Sequence, residues 1–460
     1  MDWAEEELRT INIGDKRLDR RAKQLLSRFA SKPTISIPAA CHGWPETKAA
    51  YRLLDNGAVT AEKILEPHRD CTLARVEGEE VVLCIEDTTE LDYTDKSDID
   101  GLGPLNYEDR QGLYLHPMLA VTPDRLCHGV LNWRTVVREP GSLGQEKDDR
   151  RPIEAKESFR WLEGYRVACG LSEGQPDTVF VYTADREADI YEIYTERYQR
   201  QVNGEASAEI LIRSKHDRLL ADGSKLWETV GQTAVLGEIA FELPHTNGRI
   251  GHSVVQTIQA TRVVLKGPYR QGSRLADVEL TAIRAREKNP PKGEQPLEWV
   301  LLTSRPAHTF EQALEILEWY LCRLQIEIYF KILKSGCKVE EFQLERLTRL
   351  EPALAFYMMV AWRVLYLTML GRACPELSCE VVFGEQEWKA VYIVINKQPP
   401  PQQPPTLDAV IKMVSSFGGF LNRKNDGFPG PKTIWIGMQR CLDFALAIES
   451  HSEMIEQRCG

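Results

Sequence analysis

The sequence predicts an α/β protein with a mixed β-sheet at its core, because strand-like and helix-like segments alternate through its middle. Three apolar, strand-like runs come first, at residues 81–85, 114–121 and 130–137. The last two are joined by a hairpin signal at Thr122–Pro123–Asp124. Helix-like and strand-like segments then alternate, at residues 153–168, 178–183, 186–198 and 209–213. This order is typical of a mixed sheet covered by helices.

Helical patterns surround this core, and we therefore predict three domains. They are a helical domain at 1–70, an α/β domain at 71–370 and a helical domain at 371–460. Residues from about 218 to 305 predict a β-rich insertion, because strand-like segments at 237–243, 263–265, 278–285 and 299–302 alternate there with Gly and Pro. A helical pattern resumes at Thr309 and continues to about Lys334.

Composition and charge exclude several classes of protein. The 460 residues are 43% hydrophobic and 27% charged, which predicts a folded chain and not a disordered one. A net charge of -11 argues against DNA binding through overall charge, so a basic DNA surface would have to be local. The 11 cysteines include no CxxC pair. We therefore expect neither a zinc site nor a disulfide framework. Without disulfides, the expected environment of the protein is a reducing cytoplasm.

Two segments could be mistaken for membrane or export signals. The first ten residues have neither the basic nor the apolar region of a signal peptide. The apolar stretch Ala353–Leu370 contains Arg363 and several aromatic residues, so it predicts a buried helix and not a membrane span.

The N-terminal segment GDKRLDRRAKQLLSRF predicts a helix with one basic and one apolar face. The basic face has four arginines, Arg17, Arg20, Arg21 and Arg28. The apolar face consists of Leu18, Ala22, Leu25 and Phe29. Such a basic stripe is either a solvated charged surface or a phosphate-binding one.

Two aspartates lie at the ends of strand-like runs. Asp87 lies at the end of the run at 81–85, and Asp185 follows the run at 178–183 and precedes a predicted helix. Each has a structural alternative, since Asp87 could be a turn residue and Asp185 a helix N-cap.

A third acidic residue lies in a narrow polar stripe on the helix predicted from Thr309. At about 100° per residue the stripe is only about 80° wide, with apolar residues on both sides. Its members are Tyr320, Arg323, Glu327, Lys331 and Lys334. Buried ionised groups need partners. The stripe is therefore either a ladder of ion pairs at i,i+4 spacing or a functional surface.

Three carboxylates, at Asp87, Asp185 and Glu327, would suit the cleavage of a phosphodiester. Two divalent cations can stabilise both the attacking and the leaving oxygen, and Mg²⁺ prefers carboxylate ligands. Arg and Lys beside Glu327 would bind DNA phosphates, and an aromatic side chain such as Trp299 could stack on a displaced base.

These residues resemble the DDE transposases of bacterial cut-and-paste insertion sequences, of the transposon-five type within the insertion-sequence-four family. The third motif of that family has four residues at fixed spacings, met here by Tyr320, Arg323, Glu327 and Lys334. The first two motifs correspond to IEDTT around Asp87 and DREADI from Asp185, with RSKH following at residues 213–216. Further similarity lies in IGDKRLDRRAKQL, NPPKGEQPLEWVLLTS and FGGFLNRK.

The resemblance implies a ribonuclease-H-like core interrupted by a β insertion, an N-terminal DNA-recognition domain and a C-terminal dimerisation domain. It implies that Asp87, Asp185 and Glu327 hold two Mg²⁺ ions per active site, with Mn²⁺ as a substitute. Predicted DNA contacts are Arg213, Lys215, Tyr320, Arg323, Lys331 and Lys334. Trp299 corresponds to a tryptophan that stacks on a flipped base, and Leu324 replaces a second aromatic residue near that base.

The implied activity is cleavage of transposon ends through a hairpin intermediate, followed by joining of the 3′ ends to target DNA. The expected partners are inverted-repeat and target DNA and a second copy of the chain, with no membrane. The expected location is the bacterial cytoplasm, at the nucleoid when DNA is bound. Two alternatives are a non-catalytic, transposase-derived DNA-binding regulator and a ribonuclease-H-like, structure-selective nuclease.

Overall fold

A computed structural model describes residues 3–32, 36–41, 43–96, 99–141, 151–243, 251–270 and 272–459. Its main strands are β1 (Val81–Glu86), β2 (Thr89–Asp92), β3 (Gly103–Pro104), β4 (Gln111–Val121), β5 (Cys127–Val136), β6 (Val179–Ala184), β7 (Glu209–Arg213), β8 (Val235–Leu243), β9 (His252–Leu265), β10 (Tyr269–Arg270), β11 (Ser273–Arg274), β12 (Val278–Glu287) and β13 (Glu298–Thr303).

Helices cover the sheet and form both ends of the chain. The first five are α1 (Trp3–Glu7), α2 (Lys16–Ser31), α3 (Ile37–Ala40), α4 (Trp44–Leu54) and α5 (Ala61–Val76). The core and its insertion add α6 (Phe159–Gly174), α7 (Tyr191–Asn203), α8 (Leu226–Gly231), α9 (Phe310–Leu321) and α10 (Leu324–Lys331). The last four are α11 (Leu347–Ala373), α12 (Glu385–Asn396), α13 (Leu407–Phe417) and α14 (Pro431–Cys459).

The centre of the sheet has the ribonuclease-H-like strand order β5-β4-β1-β6-β7. Strand β4 is antiparallel to β1 and β5, whereas β1, β6 and β7 run parallel to one another. Both faces of the central strands are buried. Side chains of β1 and β6 alternate between one core beneath α6 and α7 and a second core shared with α5 and α11. Burial on both faces explains why these strands are continuous apolar runs. The predicted α/β fold with a mixed sheet is confirmed.

The β insertion adds its strands to the edge of this same sheet, beyond β7, in the order β13-β12-β9-β8. All these pairings are antiparallel. Strand β9 is much longer than the three-residue segment 263–265 that its pattern predicts. Its side chains alternate between buried and accessible positions, so it lacks the continuous apolar run of a central strand.

The predicted continuous helix from Thr309 to Lys334 is wrong. Helix α9 begins with a capping box formed by Thr309 and Gln312, and ends at Leu321. Around Cys322 the backbone amides of Arg323, Gln325 and Ile326 donate to carbonyls three residues earlier, which tightens the chain before α10. A π-helical turn, Ile332–Gly336, follows α10. Neither Gly nor Pro marks the first break, so residue pattern alone does not reveal it.

Helix α11 is the central helix of the protein. It passes the length and hydropathy test for a membrane span, and 89% of its most apolar window is buried among other parts of the chain. It contacts α5, β5, α2 and α14, and so joins the N-terminal, central and C-terminal parts. The predicted domain boundaries at residues 70 and 370 stay predictions; each falls inside a helix, α5 or α11.

A buried polar network connects α1, α5 and β5. The Glu7 carboxylate lies 2.5 Å from Nδ1 of His68 and accepts two hydrogen bonds of 3.0 Å from the Arg75 guanidinium. Nε2 of His68 accepts the backbone N–H of Val130 at 2.9 Å. Although burial favours the neutral carboxyl, His68 and Arg75 bring the pKa of Glu7 down to about 2. The Arg75 guanidinium also lies 4.2 Å from the Trp362 ring on α11.

We predict that Glu7→Gln lowers the free energy of unfolding by about 3 kcal/mol at pH 7, because it leaves buried cationic and imidazole groups without a carboxylate. Since the Glu7 pKa is lower in the folded protein, its contribution is present above pH 4.5 and is lost as pH falls toward 2. Urea unfolding at pH 7 and pH 3 measures the difference from wild type. Exposed Glu66→Gln, on helix α5 with His68 and Arg75, is the control, and a Glu7→Gln difference that is the same at both pH values would contradict the prediction.

Candidate active site

Asp87 and Asp185 lie at the same edge of the sheet. Ile85 of β1 pairs in parallel with Thr183 of β6, and each aspartate lies two residues beyond its paired residue. Asp87 occupies the break between β1 and β2, both of which pair with β4. The carboxyl ends of adjacent parallel strands therefore bring together two acids that are far apart in the sequence.

The surroundings of Asp87 are electrostatically unusual. Its Oδ1 accepts the backbone N–H of Thr88 at 2.8 Å, and its Oδ2 accepts a hydrogen bond from Arg323 at 2.7 Å. Burial raises the pKa of Asp87, and the negative charges of Asp185 and Glu187 also raise it, whereas Arg323 lowers it. The result of these effects is a pKa of about 6. Asp87 and Asp185 are thus close enough to influence each other's charge.

Arg323 links two of the three predicted site acids. Its guanidinium pairs with Asp87 through one nitrogen and with Glu327 through another. The Arg323 side chain is only 15% exposed, whereas that of Glu327 is 53% exposed. The i,i+4 ion pair expected as the structural alternative is therefore present. The same guanidinium holds Glu327 close to Asp87, and Asp87 is 236 positions away from Arg323 in the sequence.

Asp185 has the N-cap role that was its structural alternative. It caps the short turn Arg186–Ala188 by accepting the backbone N–H of Glu187 at 2.8 Å. One carboxylate oxygen makes this bond, and the side chain remains partly accessible. Within the part of the chain that the structure describes, no group of three His, Cys, Asp or Glu side chains has the arrangement of a metal site. Arg323 is instead the cation beside these acids.

A second aspartate of the DREADI motif, Asp189, was not singled out by the sequence. It is 3% exposed, and its Oδ2 accepts the backbone N–H groups of Lys215 and His216 at 2.7 and 3.0 Å. Its Oδ1 accepts from the Arg218 guanidinium and from the Tyr194 hydroxyl. Asp189 therefore joins the RSKH segment to the turn that begins at Asp185. The only sequence signal was a second aspartate four residues after the first.

Three of the residues predicted to bind DNA form one aromatic and basic cluster. The Trp299 and Tyr320 rings meet edge to face with centroids 5.7 Å apart. The Arg213 guanidinium lies 5.8 Å from the Trp299 ring and donates to the Glu298 carbonyl at 3.3 Å. Burial lowers the pKa of Arg213, and the charges of Arg186 and Arg323 lower it further. Arg186, which the sequence analysis missed, is exposed beside this cluster.

The other predicted DNA contacts have different surroundings. Lys215 and Lys331 are exposed. Lys334 lies in the π-helical turn, where its Nζ donates to the Glu90 carbonyl at 2.9 Å and lies 3.1 Å from the Glu340 carboxylate. These contacts hold Lys334 against β2 and leave it half-buried.

The N-terminal arginines lie on α2, whose predicted apolar face is buried at Ala22, Leu25 and Phe29 and half-buried at Leu18. Two of them pair with acids, since Arg17 contacts Asp15 at 2.9 Å and Arg28 contacts Glu46 at 2.8 Å. Arg20 is exposed and Arg21 is half-buried. A DNA-binding role for these four residues stays a prediction.

We predict that Asp189→Asn lowers the free energy of unfolding by about 3 kcal/mol. The amide would place an N–H group opposite either the two backbone N–H donors or the Arg218 and Tyr194 donors, and no rotation of the amide avoids both. Thermal and urea unfolding measure the loss. Asp222→Asn, at an exposed turn, is the matched control. Equal stability of the two variants would contradict this role for Asp189.

Two protein families match the ends of the chain. Residues 1–59 match a family described as transposase DNA-binding. Residues 359–453 match the transposase Tn5 dimerisation domain. The matched domains support DNA binding and formation of a homodimer. The first contains the basic helix α2, and the second contains the end of α11 together with α12 and α13.

The ribonuclease-H-like sheet between these matches has two aspartates at adjacent strand ends and an arginine that joins one of them to Glu327. A match to a transposase DNA-binding family, a mixed-sheet core and a match to the Tn5 dimerisation domain follow one another along the chain, and the two matches indicate a DNA-processing enzyme. At both ends the chain is therefore similar to transposases of the Tn5 type, and the two matches support that assignment.

Proposed function

We propose that the protein cleaves transposon ends through a hairpin intermediate and joins the 3′ ends to target DNA, using Asp87, Asp185 and Glu327 as ligands for two Mg²⁺ ions. The observation that carries the proposal is the convergence of the site. Parallel pairing brings Asp87 and Asp185 to one sheet edge, and Arg323 connects Asp87 with Glu327.

The side chains present fit divalent cations in their chemistry. Carboxylate oxygens are the ligands that Mg²⁺ prefers, and burial together with the negative charge of Asp185 makes ionisation of Asp87 costly, as the raised pKa of Asp87 shows. When bound, Mg²⁺ would neutralise this charge and stabilise the oxygens of the phosphoryl group during displacement. Mn²⁺, which accepts similar ligands, is the expected substitute.

Arg323 would have two partners in turn under this proposal. In the free protein its guanidinium neutralises Asp87 and Glu327. A DNA phosphate offers the same guanidinium a bidentate partner, and its transfer to the phosphate would release both carboxylates. Arg323 would thereby couple binding of the DNA end to formation of the cation site.

The neighbouring residues would orient the DNA. Positive charge for binding the phosphate backbone of the transposon end would come from Arg213 and from the exposed Lys215 and Lys331. Such contacts with phosphates position the DNA without recognising its bases. The half-buried Trp299 ring, held by Tyr320 and Arg213, offers a face on which a flipped base could stack. Leu324, which is 47% exposed, could contact the same base through apolar surface only.

We predict that Asp87→Ala, Asp185→Ala or Glu327→Ala abolishes Mg²⁺-dependent cleavage of transposon-end DNA, with a loss of about 10³-fold or more, while end binding remains. Each change removes a carboxylate ligand but none of the basic residues. Cleavage of labelled inverted-repeat DNA and a gel-shift assay measure the two properties. Asp222→Ala is a matched control that should cleave like wild type.

Robust cleavage by any of the three purified variants would contradict the site assignment. The same assay separates the alternatives. A regulator without catalytic activity would bind the ends but cut none of them with Mg²⁺, whereas a nuclease would release breaks without a strand-transfer product.

We also predict that Arg323→Gln increases the affinity of the DNA-free protein for Mn²⁺ by about tenfold, or about 1.4 kcal/mol. The change removes the guanidinium that pairs with Asp87 and Glu327 and keeps a shorter, uncharged polar side chain. Electron paramagnetic resonance of free Mn²⁺ during titration measures the affinity without any catalytic step.

Lys331→Gln is the control for this measurement, because it removes the same charge from an exposed position on α10. General electrostatics would raise Mn²⁺ affinity equally in both variants. Equal affinities, or weaker binding by Arg323→Gln, would show that Arg323 does not compete with cations for these carboxylates.

A further inference from the structure

A second, fully buried set of polar groups lies directly behind Asp87. Glu86, the last residue of β1, is 0% exposed, and His116 on β4 is 2% exposed. Nε2 of His116 lies 3.3 Å from Oε1 of Glu86, and Nδ1 of His116 lies 2.8 Å from the Thr88 hydroxyl. Apart from this contact, Glu86 Oε1 and His116 Nε2 have no hydrogen-bond partner in the described structure.

The rest of the surroundings hold Glu86 and His116 in place. The Tyr182 hydroxyl on β6 donates to Oε2 of Glu86 at 2.5 Å. Gly164 on α6 leaves room for the carboxylate, since a Cβ at this position would lie 2.0 Å from Oε2. The Trp161 ring packs edge to face against the His116 ring with centroids 4.6 Å apart.

These contacts reach Asp87 through Thr88. The Thr88 hydroxyl contacts His116, and the Thr88 backbone N–H donates to Oδ1 of Asp87 at 2.8 Å. With its hydrogen on Nε2, the imidazole would accept the Thr88 hydroxyl at Nδ1 and turn its N–H toward Oε1 of Glu86, which lies 3.3 Å away. The chain of contacts therefore runs from a buried carboxylate to the exact residue that orients the site acid.

Burying a carboxylate and an imidazole at the centre of a sheet costs free energy unless each group is paired or hydrogen-bonded. Apolar residues of similar size would fill the same space at less cost. Asp87 and Thr88 lie between β1 and β2, outside the regular hydrogen bonding of the sheet. Other contacts must therefore fix the backbone at this junction. The contact between His116 and Thr88 supplies that constraint.

We propose that His116 is a positioning residue for Asp87: held by Glu86, it fixes Thr88 and thereby the orientation of the Asp87 carboxylate at the break between β1 and β2. This inference rests on the proposed function only in so far as Asp87 is the site acid. The Glu86–His116–Thr88 contacts act on the geometry of the junction and not on the DNA.

The test uses Thr88→Val, which removes the hydroxyl while keeping the shape of the side chain, with Thr88→Ser as the conservative variant. The control is His68→Asn, which disrupts another buried Glu–His pair, in the network of Glu7 and Arg75. Two measurements are made on each full-length variant. They are hydrogen exchange of the peptide containing residues 86–92, and the Mg²⁺ concentration for half-maximal cleavage of end DNA.

We expect Thr88→Val to speed exchange in the 86–92 peptide by about tenfold and to raise the half-maximal Mg²⁺ concentration by about five- to tenfold, with end binding unchanged. Thr88→Ser keeps the hydroxyl, so both values should stay close to those of the wild type. His68→Asn should lower the melting temperature and change neither value, which separates positioning from a general loss of stability.

The inference is overturned if Thr88→Val changes both values no more than His68→Asn does while wild type cleaves normally. It is also overturned if Thr88→Ser behaves like Thr88→Val. Failure of wild type to cleave end DNA in any concentration of Mg²⁺ would instead count against the proposed function, so the two failures are distinguishable. Should Thr88→Val fail to fold, His116→Gln, which keeps a polar group near the position of Nε2, provides the same comparison.

Discussion

The constraint on which the rest of the structure depends is the parallel pairing of β1 with β6 at the centre of the sheet. This register places Asp87 and Asp185 at one edge and buries both faces of the two strands. The other residues of the proposed site lie on neighbouring elements. Arg323 and Glu327 lie at the start of α10 and within it, and Arg213 lies at the end of β7. A shift of one residue in the pairing would exchange the buried faces and separate the acids.

Concentrated negative charge at this edge has a cost that the fold offsets in two ways. Arg323 neutralises Asp87 and Glu327 directly, yet burial still keeps the pKa of Asp87 near 6. Buried contacts behind the site then hold its backbone, through Asp189 on one strand end and Glu86 on the other. Sites with shifted pKa values and supported backbone are where chemistry is expected, at some expense of stability.

Much of the fold was predictable because central strands and the hairpin between β4 and β5 have strong local patterns. The β insertion was predictable in outline, but β9 was underestimated because two of its buried positions are glutamines, Gln256 and Gln259, which interrupt the apolar pattern. The break at Cys322 was missed, since it results from hydrogen bonds and not from Gly or Pro. In the site, motif spacing indicated Asp87, Asp185 and Glu327, whereas Asp189, His116 and Arg186 were missed because nothing in local sequence reports burial or charge from distant residues.

The sequence by itself determined which side chains are available and in what order: strand-ending aspartates, a helix with Tyr320, Arg323, Glu327 and Lys334, and helical ends that match transposase domains. Only the tertiary structure decided their relationships. It paired Arg323 with both Asp87 and Glu327, made Asp185 the cap of a short helical turn, and joined His116 to Thr88. The physical reason is that electrostatic and hydrogen-bond energies depend on distances across the sheet, and residues more than 200 positions apart acquire those distances only when the strands pair.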